Sequence, residues 1–160
     1  MYRRMLLPIY IALIFGLGGC STPTPTLPDV RFPLDNFNTD LRILFPARGN
    51  DYRIGTGVAF DVELTTSKEV FAPIDFNAMI FVYNTENGNW EEINNTAGYL
   101  GQDQSLSKDK PIAYAGVFPD IGDGVKKPVK LMVVIYGYEK VNGVITENKV
   151  GAYREFMMYP

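Results

Sequence analysis

The stretch GVAFDVELTT, residues 57–66, sets the fold class. Val58, Phe60, Val62 and Leu64 fall on one side of an extended chain, and Ala59, Asp61, Glu63 and Thr65 on the other. A period of two with one polar face describes a strand that is half buried and half solvated. Working outward, LRILFP (41–46) reads as a short strand stopped by Pro46, and AMIFVYN (78–84) and NWEEINN (89–95) read as strands flanking Asn87-Gly88. Asn-Gly is the dipeptide that two-residue type I′ hairpins favour. IAYAGVF (112–118) follows a Gly-, Asp-, Ser- and Lys-rich loop over 97–111. VKLMVVIYGYE (129–139) and VGAYREFMMY (150–159) close the chain, joined through Val141-Asn142-Gly143-Val144, with Ile145-Thr146 paired near the tip. No stretch shows a helical period.

About seven strands with turns between them, in roughly 120 residues, predict an all-β, antiparallel β-sandwich over residues 41–160. The strand count and the long final hairpin resemble immunoglobulin-like and fibronectin type III-like domains. The immunoglobulin cysteine pair is missing, and Trp90 follows a turn where those domains bury a mid-core Trp.

The N-terminus carries an address. Arg3 and Arg4 precede an uncharged run from Met5 to Gly19. That run is shorter than the ~20 apolar residues of a membrane span and has the flanks of a secretory signal. Leu17-Gly18-Gly19-Cys20 resembles the bacterial lipobox. The resemblance implies a signal peptide over 1–19, cleavage before Cys20, and a diacylglyceryl thioether and fatty acid on Cys20. Two or three acyl chains anchor stably where one binds only marginally. Residues 20–40 are then the lipidated N-terminus and a Pro/Thr-rich linker: STPTPTLP (21–28) is an extended, semi-rigid stalk, whereas DVRFPLDNFNTD (29–40) is too apolar for a free linker, and part of it is expected to lie against the domain. An exported, lipid-anchored protein is expected, on the outer membrane of a diderm host or the outer leaflet of the cell membrane otherwise.

Composition removes whole classes of function. Losing residues 1–19 takes two arginines and leaves 13 basic against 18 acidic residues, a formal charge of −5. Nucleic-acid partners call for a basic patch, so none is expected. Histidine is absent and Cys20 is the only cysteine. The usual general base, the imidazole metal ligand, every Ser-His or Cys-His dyad and any intrachain disulfide go with them. No resident cofactor is expected. Asp120 and Asp123, on a Gly-rich turn, are the best calcium ligands available, although Asp and Gly are also the ordinary residues of turns. Glu91 and Glu92 are adjacent in a strand and point to opposite faces.

Two strands lack a polar face. Met79, Phe81 and Tyr83 back Ile80 and Val82, while Met132, Val134, Tyr136 and Tyr138 back Leu131, Val133 and Ile135. Such strands are covered on both sides or expose a patch. Met79, Phe81, Tyr83, Met132, Tyr136 and Tyr138 are therefore the candidate partner-binding residues, for an envelope protein or a glycan. The competing reading lays Phe32, Leu34 and Phe37 over this face, and it is favoured because large exposed patches are rare in monomers. The chain thus reads as a non-catalytic binding or assembly module. The alternatives are a carbohydrate-capturing lipoprotein using Tyr83, Trp90, Tyr99 and Tyr114, or a hydrolase relying on carboxylates alone.

Overall fold

The computed structural model describes residues 27–46, 52–96 and 102–160. The signal-like segment, the lipobox with Cys20, the stalk over 21–26 and Tyr99 lie outside the described residues.

Among the described residues, ten strands follow in order: β1 (Leu41–Leu44), β2 (Tyr52–Arg53), β3 (Val58–Leu64), β4 (Glu69–Ala72), β5 (Met79–Asn84), β6 (Asn89–Ile93), β7 (Gln104–Leu106), β8 (Ile112–Val117), β9 (Val129–Val141) and β10 (Val144–Tyr159). They form two sheets. The smaller runs β1-β3-β8. The larger has β9 at its centre, with β10 along one edge and β4 and β5 sharing the other. β6 and β7 extend it outward from β5 and β4. This is an all-β, predominantly antiparallel sandwich, with β3–β8 and β9–β4/β5 among its pairs. Every ladder is antiparallel except one: Tyr52 and Arg53 pair parallel to Met158 and Tyr159.

The seven strands expected from the sequence are all present, with altered ends. β2, β4 and β7 are additional, and β7 lies within the stretch read as loop. The predicted two-residue turn at Asn87-Gly88 is instead a four-residue loop, because Asn84 pairs with Asn89. Only Gly88 there has positive φ, 73°. The asparagines serve the loop through their side chains, with Asn84 Oδ1 accepting from Glu86 N–H and Asn87 Oδ1 from Asn89 N–H. The turn at Asn142-Gly143 has φ of 53° and 80° between the paired residues Val141 and Val144, as a type I′ turn requires.

The alternation in β3 builds the core. Val58, Phe60, Val62 and Leu64 are buried between the sheets, where they meet Leu131, Val133 and Ile135 of β9 and Ala152, Phe156 and Met158 of β10. β4 and β5 are two halves of one run along β9, interrupted by a turn at Ile74–Asn77. Asp75, Phe76 and Asn77 there have φ of 49°, 55° and 49°, left-handed for all three. Such a conformation costs roughly 1–2 kcal/mol per non-glycine residue. The turn drives Phe76 into the core, where it is fully buried, and that burial offsets the strain. Gly137 sits where β9 passes from one half to the other. A Cβ there would lie 2.5 Å from the Phe71 carbonyl oxygen.

Open sheet edges invite pairing with other chains. Here side-chain amides close parts of the β8 and β10 edges. Gln104 Nε2 donates to Tyr114 O (2.8 Å), and its Oε1 accepts from Tyr114 N–H (3.3 Å), as a neighbouring strand would. Asn95 Oδ1 accepts from Phe118 N–H just beyond β8. On β10, Asn38 N–H donates to Gly151 O and Asn38 Oδ1 accepts from Tyr153 N–H, both at 2.9 Å.

Candidate functional site

The outer face of the larger sheet is built by register. Phe81 stands opposite Met132, and Met79 opposite Val134. Tyr83 stands opposite Trp90 across the β5–β6 hairpin. Because side chains alternate along each strand, all of these point away from the main core. Phe81, Met132 and Val134 are buried nonetheless. The cover is the chain itself: Val30, Leu34 and Phe37 are buried against them, with Phe32, Met79, Trp90, Tyr136 and Tyr153 at the margins.

This covering strap is apolar, close-fitting and sparsely hydrogen-bonded. The Phe32 ring lies 5.5 Å from Phe37 and 4.8 Å from Tyr136, edge-on to the latter. Lys149 Nζ sits 4.6 Å from the Phe32 ring and 5.5 Å from Tyr136, a cation–π arrangement. Phe37 fits over Gly151, whose missing side chain leaves the space that the ring fills. Thr65 N–H donates to Asp40 O, and Lys68 Nζ bonds Asp40 Oδ2 at 2.8 Å, so the end of the strap is fixed where β1 begins. Burial holds the Tyr136 hydroxyl above its ordinary pKa, helped by Tyr138 and opposed by Arg31.

The six candidate binding residues do share this face, but they are not equally available. Phe81 and Met132 are closed off beneath the strap, whereas Met79, Tyr83, Tyr136 and Tyr138 are half-buried. Of the two readings offered by the sequence, the structure takes the fold-back of residues 29–40. The packed body therefore begins by Val30, ahead of the boundary expected at Leu41. Tyr138 lies past the strap, where it lines a shallow cleft with Phe71, Ile145 and Lys149. Tyr136 packs under Phe32 and beside Tyr138, with ring centres 5.9 Å apart.

Four contributors were not assigned to this face from the sequence: Trp90, offered there only for glycan capture, and Lys130, Lys149 and Tyr153. Trp90 stacks 5.2 Å from Tyr83, and Lys130 caps both rings at 5.3 and 5.4 Å while pairing with Glu155 at 2.7 Å. The hairpin signal at Asn87-Gly88 puts Trp90 opposite Thr85, and the four-residue loop shifts the register so that Trp90 faces Tyr83. Lys149 and Tyr153 carried none, because their placement depends on the bulge in β10 between Ile145 and Lys149. Of the aromatics proposed for glycan capture, the three described ones, Tyr83, Trp90 and Tyr114, do not form a row. Tyr114 is exposed on β8 in the other sheet, apart from Tyr83 and Trp90.

Asp120 and Asp123 lie at one end of the sandwich, on the rim of an open cleft of about 500 Å³ that also touches Ile54, Thr96 and Pro160. Gly122 and Gly124, with φ of 80° and 82°, shape this loop, and Asp120 N–H donates to Asn94 O. Among the described residues, no group of three or more acidic, His or Cys side chains gathers there or elsewhere. Glu91 holds the β5–β6 loop by accepting from Asn84 Nδ2 and Asn87 Nδ2.

No family model matches the chain, and no curated protein matches it. Among solved structures it is similar to the ASH/PapD-like domain of human CEP192 (PapD-like domain 7). The identity is 12%, over 86% of this chain and 92% of that one, with a TM-score of 0.36. It is also similar to AvmM, described as catalysing macrocyclization in alchivemycin A biosynthesis. There the identity is 9%, over 78% and 91% of the two chains, with a TM-score of 0.31. Likeness at this level carries no argument about activity, and the fold class rests on the strand pairing itself.

Proposed function

We propose that this β-sandwich is a non-catalytic binding or assembly module displayed on a membrane surface by acyl chains on Cys20. The observation that carries the proposal is the tetrapeptide Leu17-Gly18-Gly19-Cys20, which follows an uncharged segment and supplies the only cysteine of the chain. Leu27, the first described residue, lies seven residues beyond Cys20. At ~3.1 Å per residue in extended form that interval reaches roughly 22 Å. The sandwich is then held close to the lipid surface, and its β-sheet faces and loops are what it presents to an envelope partner. The lack of histidine, and of a thiol outside the anchor, supports a module that binds without catalysing. The location is the outer membrane of a diderm host or the outer leaflet of the cell membrane otherwise.

Labelled palmitate fed to cells expressing the chain is expected to appear on the protein, and Cys20→Ser is expected to remove the label and release the protein from the membrane fraction. Membrane association that persists in Cys20→Ser, without label in the parent, would overturn the anchoring proposal.

A further inference from the structure

We infer that the strap formed by residues 28–38 is a displaceable cover, which unlatches at Asn38 and bares the Phe81–Met132–Val134 face while the sandwich stays folded. Two observations carry this. The first is the division of the apolar interior. The strap's side chains belong to a cluster on one side of the larger sheet, and the main core lies on the opposite side. Lifting the strap therefore removes no side chain from between the sheets. The second is the hydrogen bonding. Among the described residues, the backbone bonds from Pro28 to Phe37 are internal to the strap: Val30 to Pro28, Phe32 to Val30 and Phe37 to Leu34. Among the described residues, its backbone bond to the sandwich is Asn38 N–H to Gly151 O, with Asn38 Oδ1 returning the bond from Tyr153 N–H.

A segment held by side-chain burial and one latching residue opens at lower free energy than a strand bonded along its length. Asn38 is also a natural pivot. It has φ of 65°, and the residues after it are pinned by Thr65 and Lys68. Opening thus stops at Thr39 and does not pass into β1. The inference does not depend on the lipid anchor, and its test leaves the lipid out.

Tyr153 and Ala152 report the two events separately. Backbone groups alternate along an antiparallel edge, so the Tyr153 amide faces the latch. The Ala152 amide faces β9, where Ala152 is registered with Ile135. Residue-resolved hydrogen exchange on the full chain carrying Cys20→Ser, at several low urea concentrations, distinguishes them. We expect the Tyr153 amide to exchange at least about tenfold faster than Ala152 and to respond less to urea, since a local opening exposes less surface. Phe37→Ala is expected to accelerate both amides by a similar factor, tenfold or more, because the ring is exposed in the opened and the unfolded states alike, and so to leave the ratio of their rates within about twofold. Equal rates and equal urea slopes for the two amides in the parent chain would show that the strap leaves only when the sandwich unfolds. That result overturns the inference even if the Phe37 variant does not fold.

Discussion

Replacing Gly151 with alanine tests how closely the strap is fitted. A Cβ built on Gly151 falls inside van der Waals contact of two Phe37 ring carbons and of the Ile135 carbonyl oxygen. The ring must shift or carry the strap with it, and the carbonyl belongs to the β9 ladder. Overpacking of this kind costs typically 1–3 kcal/mol. With a urea slope near 2 kcal/mol/M for a domain of this size, the midpoint should fall by about 0.5–1.5 M. The source of the clash is separated by a double-mutant cycle. Phe37→Ala alone loses a well-buried aromatic, ~3–5 kcal/mol if the strap stays seated, and less if the strap detaches. In the double variant the ring is absent, so Gly151→Ala strains only against Ile135. The two changes should then fall short of additivity by about 1 kcal/mol or more. Urea unfolding followed by Trp90 fluorescence measures all four proteins. A Gly151→Ala midpoint equal to the parent's, or additivity within about 0.5 kcal/mol, would refute the claim that Phe37 occupies the space above Gly151.

Gly137→Ala should also destabilise by about 1–3 kcal/mol through the Phe71 carbonyl, but Phe37→Ala should give no relief, and a positive coupling in that cycle would count against the two sites being separate. In the left-handed turn, Asn77→Gly should keep stability within about 0.5 kcal/mol, whereas Asn77→Ala should lose roughly 1 kcal/mol; thermal melts giving both variants the same midpoint would contradict the assigned backbone. Lys68 is held above its ordinary pKa by its bond to Asp40, and Tyr52 and Tyr136 are held above theirs by burial. All three bind their protons more tightly when folded, so their contributions are full below the unfolded values of ~10 to 10.5 and are lost as pH rises through the folded ones. Stability should therefore decline from about pH 10 upward, with a shallower decline in Lys68→Met, and a flat urea midpoint between pH 9 and 11 would rule this out.

The parts of the fold legible in the sequence were those with enough residues to show a period. β3 alternates over seven residues, and the predicted segment 129–139 recovers most of β9. β2, β4 and β7 have two, four and three residues, too few to distinguish a strand from a loop. The split between β4 and β5 had no signal, since the turn that makes it, Ile74-Asp75-Phe76-Asn77, contains no glycine and is stabilised by Phe76 reaching the core. Of the site, the apolar outer face and the strap residues Phe32, Leu34 and Phe37 could be read from local composition. The latch could not be, because Asn38 and Tyr153 are 115 residues apart and meet only once the sheet exists.

The carboxamides that close the strand edges differ in how they would age. Asn38 and Asn95 act on β10 and beside β8 as acceptors through their side chains, and hydrolysis to aspartate leaves an oxygen in the same role. Gln104 must both give and accept. Deamidated to glutamate, it would lose its donor and set a negative charge against the Tyr114 carbonyl. Slow chemical wear would thus fall unevenly: the contacts made by Asn38 and Asn95 would stay shut, and the one beside Tyr114 would come open to whatever extended chain lay nearby.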